Sequence, residues 1–123
     1  MKVQSFTKLF DHSVVRPNAT REDVIRFAET AARLNTASLT VQPHYIKLAV
    51  ELLKGTDVLV GSVVGFPQGN ETPIMKEFQA KEVLALGAQE IDMVMNIPAL
   101  LNGEKDWFIE DIQRVVNAGT GYK

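Results

Sequence analysis

The sequence contains no cysteine, which excludes disulfides, thiolate nucleophiles and zinc–thiolate sites. It has two histidines, His12 and His44. Neither has the i, i+4 neighbour of a helical ligand pair, so no metal is expected. No apolar run approaches the ~18 residues of a membrane span, and the opening MKVQSFTK lacks the apolar centre of a secretory signal. Positive charge is not massed either. Lysines and arginines are interspersed among acids at a net charge of −2, which gives no electrostatic case for nucleic acid or a membrane surface. The expectation is a cytoplasmic protein with one domain over residues 1–123, long enough to bury a modest core.

Helical periodicity and short apolar runs alternate along the chain, which favours βα units and a parallel sheet. Thr20-Arg21-Glu22-Asp23 has the form of a capping box, and Val24, Ile25, Phe27, Ala28, Ala31, Ala32 and Leu34 follow on a helical face. Strands are expected over 37–41 and 58–64, over 90–96 (EIDMVMN) and, more faintly, over 10–14. Pro43 and Thr72-Pro73 open the second and third helices, and the fourth spans roughly 106–117. In the third helix Ile74, Met75, Phe78, Val83, Leu84 and Leu86 read as the apolar side. Trp107 and the four methionines read as core.

An open flavodoxin-like sheet usually has five strands and often a glycine-rich first turn. DHSVVRPN at 11–18 has no glycine. The alternative is the first four βα units of a (β/α)8 TIM barrel, a half-barrel of parallel strands with outer helices, since a full barrel takes ~250 residues. Such an object leaves two strand edges unpaired and its concave face open.

Side chains alternate across a strand. Ile91, Met93 and Met95 form an all-apolar set that should face the helices, which aims Asp92 and Asn96 into the barrel lumen. The same parity sends Ser38, Thr40 and Gln42 inward on the second strand, and Asp11 and Ser13 inward on the first. An acid inside an apolar strand is expected to be buried, and so paired, protonated or working. A structural ion pair is the alternative for Asp92, and backbone-satisfied hydroxyls are the alternative for Ser13 and Thr40. His12, of opposite parity, reads as a hydrogen-bonded structural histidine, and His44 as a surface residue at a helix start.

Four stretches together resemble one family, the deoxyribose-phosphate aldolases. DHSVVRP at 11–17 resembles the family's D-H-T-x-L-K-P, and ASLTVQP at 37–43 its A-S-V-C-V-N-P. VGFP at 64–67 matches I-G-F-P, and GAQEIDMVMN at 87–96 is similar to G-A-D-E-I-D-M-V-I-N. The resemblance runs over roughly residues 8–117. Against the family pattern, Ser13 replaces threonine, Arg16 lysine and Thr40 cysteine.

The resemblance implies a TIM barrel working as a class I aldolase without metal or cofactor. It would cleave 2-deoxy-D-ribose 5-phosphate to acetaldehyde and D-glyceraldehyde 3-phosphate through a lysine Schiff base. Asp92 would be the catalytic proton-transfer residue, with Asp11, Ser13, Thr40 and Asn96 binding the phosphorylated sugar or aldehyde. The family's lysines and its K-T-S-T-G-F phosphate motif belong to the second half of the barrel. Of the eight lysines here, Lys2, Lys8, Lys47, Lys54, Lys76, Lys81, Lys105 and Lys123, none is expected at a strand end. The resemblance is therefore to the N-terminal half only, and little turnover is expected from this chain by itself. The alternative function is a non-catalytic half-barrel that associates with a second copy or pairs with a complementary half.

Overall fold

The computed structural model describes residues 6–121; Met1, Lys2 and Lys123, and most of the opening MKVQSFTK, lie outside them. The order of elements is β1 (Asp11–Val14), α1 (Arg21–Leu34), β2 (Ser38–Val41), a 3-10 turn (Pro43–Tyr45) running into α2 (Ile46–Leu52), β3 (Leu59–Val64), α3 (Pro73–Ala85), β4 (Glu90–Met93), α4 (Ile97–Leu101) and α5 (Lys105–Ala118). All strand pairs are parallel and the sheet order is β1-β2-β3-β4. A doubly wound sheet reverses its order at a switch point. Here each strand is added beside its predecessor, as in a barrel, and among the described residues the outer edges of β1 and β4 carry no neighbouring strand.

Parity decides which side of the sheet is covered. The core strand residues Val14, Leu39, Val41, Val60 and Val64 share one face, where they pack with Val24, Ala28 and Ala31 of α1, Ile46 and Ala49 of α2, and Ala80 and Val83 of α3. His12 lies on this face and stacks on Phe27 of α1 at 4.7 Å between ring centroids. The structural reading of His12 holds, but through a ring contact rather than a hydrogen bond. Its burial lowers the imidazole pKa.

Helix starts follow the sequence signals closely. At Thr20 both halves of the capping box form: the Asp23 N–H donates to Thr20 Oγ1 at 3.2 Å, and the Thr20 N–H donates to Asp23 Oδ2 at 2.9 Å. The Thr20 hydrogen bonds, reinforced by the Arg16 guanidinium at 2.6 Å, pull the Asp23 carboxyl down to about 2.

Three expectations about packing are corrected. The strand over 90–96 ends at Met93, and the short helix α4 follows it. In α3 the side expected inside is partly outside: Ile74, Met75 and Phe78 are exposed while Pro73, Lys76, Ala80, Val83 and Leu84 are buried. With apolar residues all round that helix, period 3.6 cannot choose its inner face. Trp107, Met75 and Met95 are exposed rather than core: Met75 and Trp107 stand on the outer faces of α3 and α5, and Met95 lies in the connection that leaves β4.

Candidate functional site

The strand register assembles the inner, concave face of the sheet. Asp11 lies beside Ser38, and Ser38 beside Leu59. Ser13, Thr40, Gly61 and Glu90 form the next row. Val63 and Asp92 lie one inward-facing position further towards the C-terminal ends of the strands. The row members come from four strands, and their common face results from parity alone.

Two hydrogen bonds tie this face together. Ser38 Oγ donates to Asp11 Oδ1, and Thr40 Oγ1 donates to Asp92 Oδ2 at 3.2 Å. Ser38 and Thr40 are buried, whereas Asp11, Ser13 and Asp92 are exposed. The expected burial of Asp92 is thereby corrected. Its carboxylate stands on the uncovered side of a one-sided sheet, so water offsets a charge that a closed interior would not. The sequence pattern that suggested burial, apolar residues on either side of Asp92, reports only the helix-facing neighbours Ile91 and Met93.

Asn96 does not share this face. It lies three residues beyond the end of β4, is buried, and accepts the Ala99 N–H at 2.9 Å as the N-cap of α4. Parity along β4 cannot reach it, because the chain has left the strand; the inward-facing placement of Asn96 is corrected on that ground. Gln42 likewise lies past the end of β2, and its amide donates to the carbonyls of Arg16 at 2.7 Å and Val15 at 3.3 Å. It ties together the loops that follow β1 and β2. His44 is exposed in the 3-10 turn.

Sequence reasoning missed a buried ion pair. Lys76 of α3 and Asp111 of α5 have fully buried side chains 2.6 Å apart. Lys76 Nζ also donates to the Val94 carbonyl at 2.9 Å, and Asp111 Oδ2 accepts the Asn96 N–H at 3.0 Å. The pair thus fastens the segment after β4 to two helices. Its trace in the sequence is spacing: Lys76 falls in line with Pro73, Ala80 and Val83, and Asp111 lies one turn before Val115.

The remaining described lysines are also off the concave face. Lys8 Nζ donates to the carbonyls of Thr36 and Asp57, while Lys47, Lys54, Lys81 and Lys105 are exposed on helices, at helix ends or in connections. Among the described residues no lysine or arginine lies on a strand, and no group of three or more His, Asp or Glu side chains could hold a metal ion. Nor is any described helix long and apolar enough to cross a membrane.

Four consecutive βα units, each strand laid parallel beside the one before, define this as part of a parallel (β/α) barrel with an acidic, hydroxyl-bearing inner face. The sequence model of the DeoC/LacD family aldolases matches residues 6–122, and the chain belongs to that family. It is 44% identical over 117 residues to a deoxyribose-phosphate aldolase of Bacillus cytotoxicus, covering 95% of this chain and 52% of that protein. It is 42% identical over 123 residues to the deoxyribose-phosphate aldolase of Caldicellulosiruptor saccharolyticus, covering 100% of this chain and 56% of that one. The crystal structure of a Coccidioides immitis protein assigned to the deoxyribose-phosphate aldolases superposes with a TM-score of 0.91 at 33% identity, over 97% of this chain and 47% of that chain. The chain therefore spans about half the length of the curated relatives it matches, as an N-terminal half.

Proposed function

We propose that residues 1–123 form one domain that supplies the first four βα units of a cytoplasmic deoxyribose-phosphate aldolase barrel. In this reading the reaction is the reversible Schiff-base cleavage of 2-deoxy-D-ribose 5-phosphate to acetaldehyde and D-glyceraldehyde 3-phosphate. Asp92 transfers the proton, and Asp11, Ser13 and Thr40 face the substrate. Asn96, tied up as a helix cap, acts on the rim rather than on the substrate. No cofactor is needed.

The observation that carries the reading is the charge of the inner face. It carries the carboxylates of Asp11, Glu90 and Asp92 beside the hydroxyls of Ser13, Ser38 and Thr40, and among the described residues no strand carries a lysine or arginine. A Schiff-base lysine must be partly neutral at working pH and is activated by burial or by a neighbouring cation. Lys76 is buried, but its amine is committed to Asp111 and Val94. The amine therefore comes from a complementary half that closes the barrel against the free edges of β1 and β4.

The same charge count weighs against the second reading, closure by a second copy. Two copies would bring both sets of Asp11, Glu90 and Asp92 into one lumen without a strand cation, and uncompensated buried charges are costly. Borohydride trapping tests the assignment. With 2-deoxyribose 5-phosphate and borohydride, mass spectrometry should find no adducted lysine on this chain. An adduct on any of its lysines would overturn the reading, and a tight dimer by light scattering at low micromolar concentration would favour self-closure.

A further inference from the structure

Thr40 and Asp92 are not on neighbouring strands. Thr40 is on β2 and Asp92 on β4, with β3 between them. Strands are spaced ~4.8 Å apart, so the two backbones are roughly two spacings apart. A threonine hydroxyl and a short carboxylate meet across that gap only if the strand between them presents nothing in the way. The residue of β3 directly beside Thr40 is Gly61.

A Cβ added at Gly61 would lie 2.6 Å from Thr40 Oγ1, with Thr40 Cα and Cβ at 3.4 Å. The backbone at Gly61 is ordinary extended strand, unlike the glycines of positive φ at 65, 69 and 87. Its lack of a side chain therefore serves space rather than conformation, as strand glycines do where another group must approach closely. The hydroxyl lying over Gly61 is the one that donates to Asp92 Oδ2 at 3.2 Å.

We propose that Gly61 and Thr40 together are positioning residues for Asp92. Glycine at 61 leaves a slot across β3, and the Thr40 hydroxyl lies in the slot and holds one carboxylate oxygen. Oδ1 is then left to face the lumen, where it can exchange a proton with a bound molecule. This role deepens the assignment of Asp92 made above and rests on it, but the bond itself is observable without turnover.

Gly61→Ala should turn the Thr40 side chain away, since only the hydroxyl stands in the path of the new methyl group, and the link to Asp92 should be lost with little change elsewhere. The protein labelled with 13C at its aspartate carboxyls reads this directly. Asp92→Asn identifies the resonance, and Thr40→Val fixes the shift that accompanies loss of the bond. Gly61→Ala is expected to move the Asp92 resonance in the same sense as Thr40→Val, and to add nothing further in the Thr40→Val background. Thr40→Ser should restore the wild-type position. A Gly61→Ala resonance left at the wild-type position, a further displacement in the double variant, or a serine that fails to restore would each overturn the proposal. If Gly61→Ala does not fold, the valine and serine variants still decide whether Thr40 holds Asp92, and the stability of Gly61→Ala/Thr40→Ala decides the slot. That double variant should fold like Thr40→Ala, and its failure to do so would refute the steric argument. With a complementary half added to supply the amine, turnover lost on Asp92→Asn while Thr40→Val leaves the Asp92 resonance unmoved would sink this proposal and spare the function. The signature present with turnover unaffected would do the reverse.

Discussion

Replacing Lys76 by methionine removes an ammonium whose surroundings contain no water-facing surface. The Lys76 and Asp111 side chains are both fully buried and 2.6 Å apart. Methionine approximates the length of the lysine stem, so little cavity is created and the change is mainly electrostatic. Asp111 keeps one hydrogen bond, from the Asn96 N–H, but its Oδ1 already has no hydrogen-bond partner and is buried. Breaking a buried pair on one side costs ~3–5 kcal/mol, because the other charge is left without compensation. The Val94 carbonyl also loses the donor it has from Lys76. For a domain of ordinary stability, ~5–15 kcal/mol, that is a large share of the total. Urea titration followed by circular dichroism should therefore show the midpoint of Lys76→Met falling steeply at unchanged slope. Lys76→Met/Asp111→Leu removes both charges and should recover most of the loss, since apolar replacement of a whole buried pair is often neutral. A single variant within ~1 kcal/mol of wild type, or a double variant that simply adds two penalties, would refute the reasoning.

Three further outcomes are expected. Asp23 has its pKa depressed to about 2 by Thr20 and Arg16, so its contribution is present at neutral pH and lost as pH falls from the ordinary carboxylate range towards 2. The urea midpoints of wild type and Asp23→Asn should therefore differ at pH 6 and converge near that lower limit. His12 titrates below its ordinary value because it is partly buried. The unfolded chain takes up its proton first, so stability should decline as pH falls through the region just below neutrality. His12→Phe, which keeps the stack on Phe27, should flatten that decline. At Gly69, φ is +69° and an added Cβ would sit 2.1 Å from the Met95 carbonyl oxygen. Gly69→Ala should cost more than ~1 kcal/mol from backbone conformation alone and shift the amide resonances of residues 94–96 most.

The fold was legible because its signals are local and periodic. Thr20 and Asp23 spelled a capping box, and the valine-rich stretch over 58–64, closed by Gly65-Phe66-Pro67, read as a strand. Strand parity correctly turned Asp11, Ser38, Thr40 and Asp92 to one side. What parity could not say was where a strand stops: Val94, Met95 and Asn96 continue the alternation in sequence after the backbone has left β4. Nor could it say whether the face bearing Asp92 is covered, which no residue of a single strand decides. The Lys76–Asp111 pair was hidden for a different reason. Each residue sits on a helix where a charge ordinarily marks the solvent side, and only the meeting of α3 with α5 makes the two compensate each other. The crossing from Thr40 to Asp92 depends on a glycine in a third strand, a relation that no single-strand pattern contains.

The claim on which the account turns is that Asp92 moves protons for an amine supplied from the other side of the barrel. The direct measurement is release of acetaldehyde from 2-deoxyribose 5-phosphate by this chain combined with a complementary half from a relative, comparing wild type with Asp92→Asn. The account predicts no release from the chain by itself, release from the combination, and a loss of ~10²–10⁴-fold in the asparagine variant, the range for removing a general acid–base group. Undiminished release with asparagine at position 92, or release from this chain unaided, would contradict it.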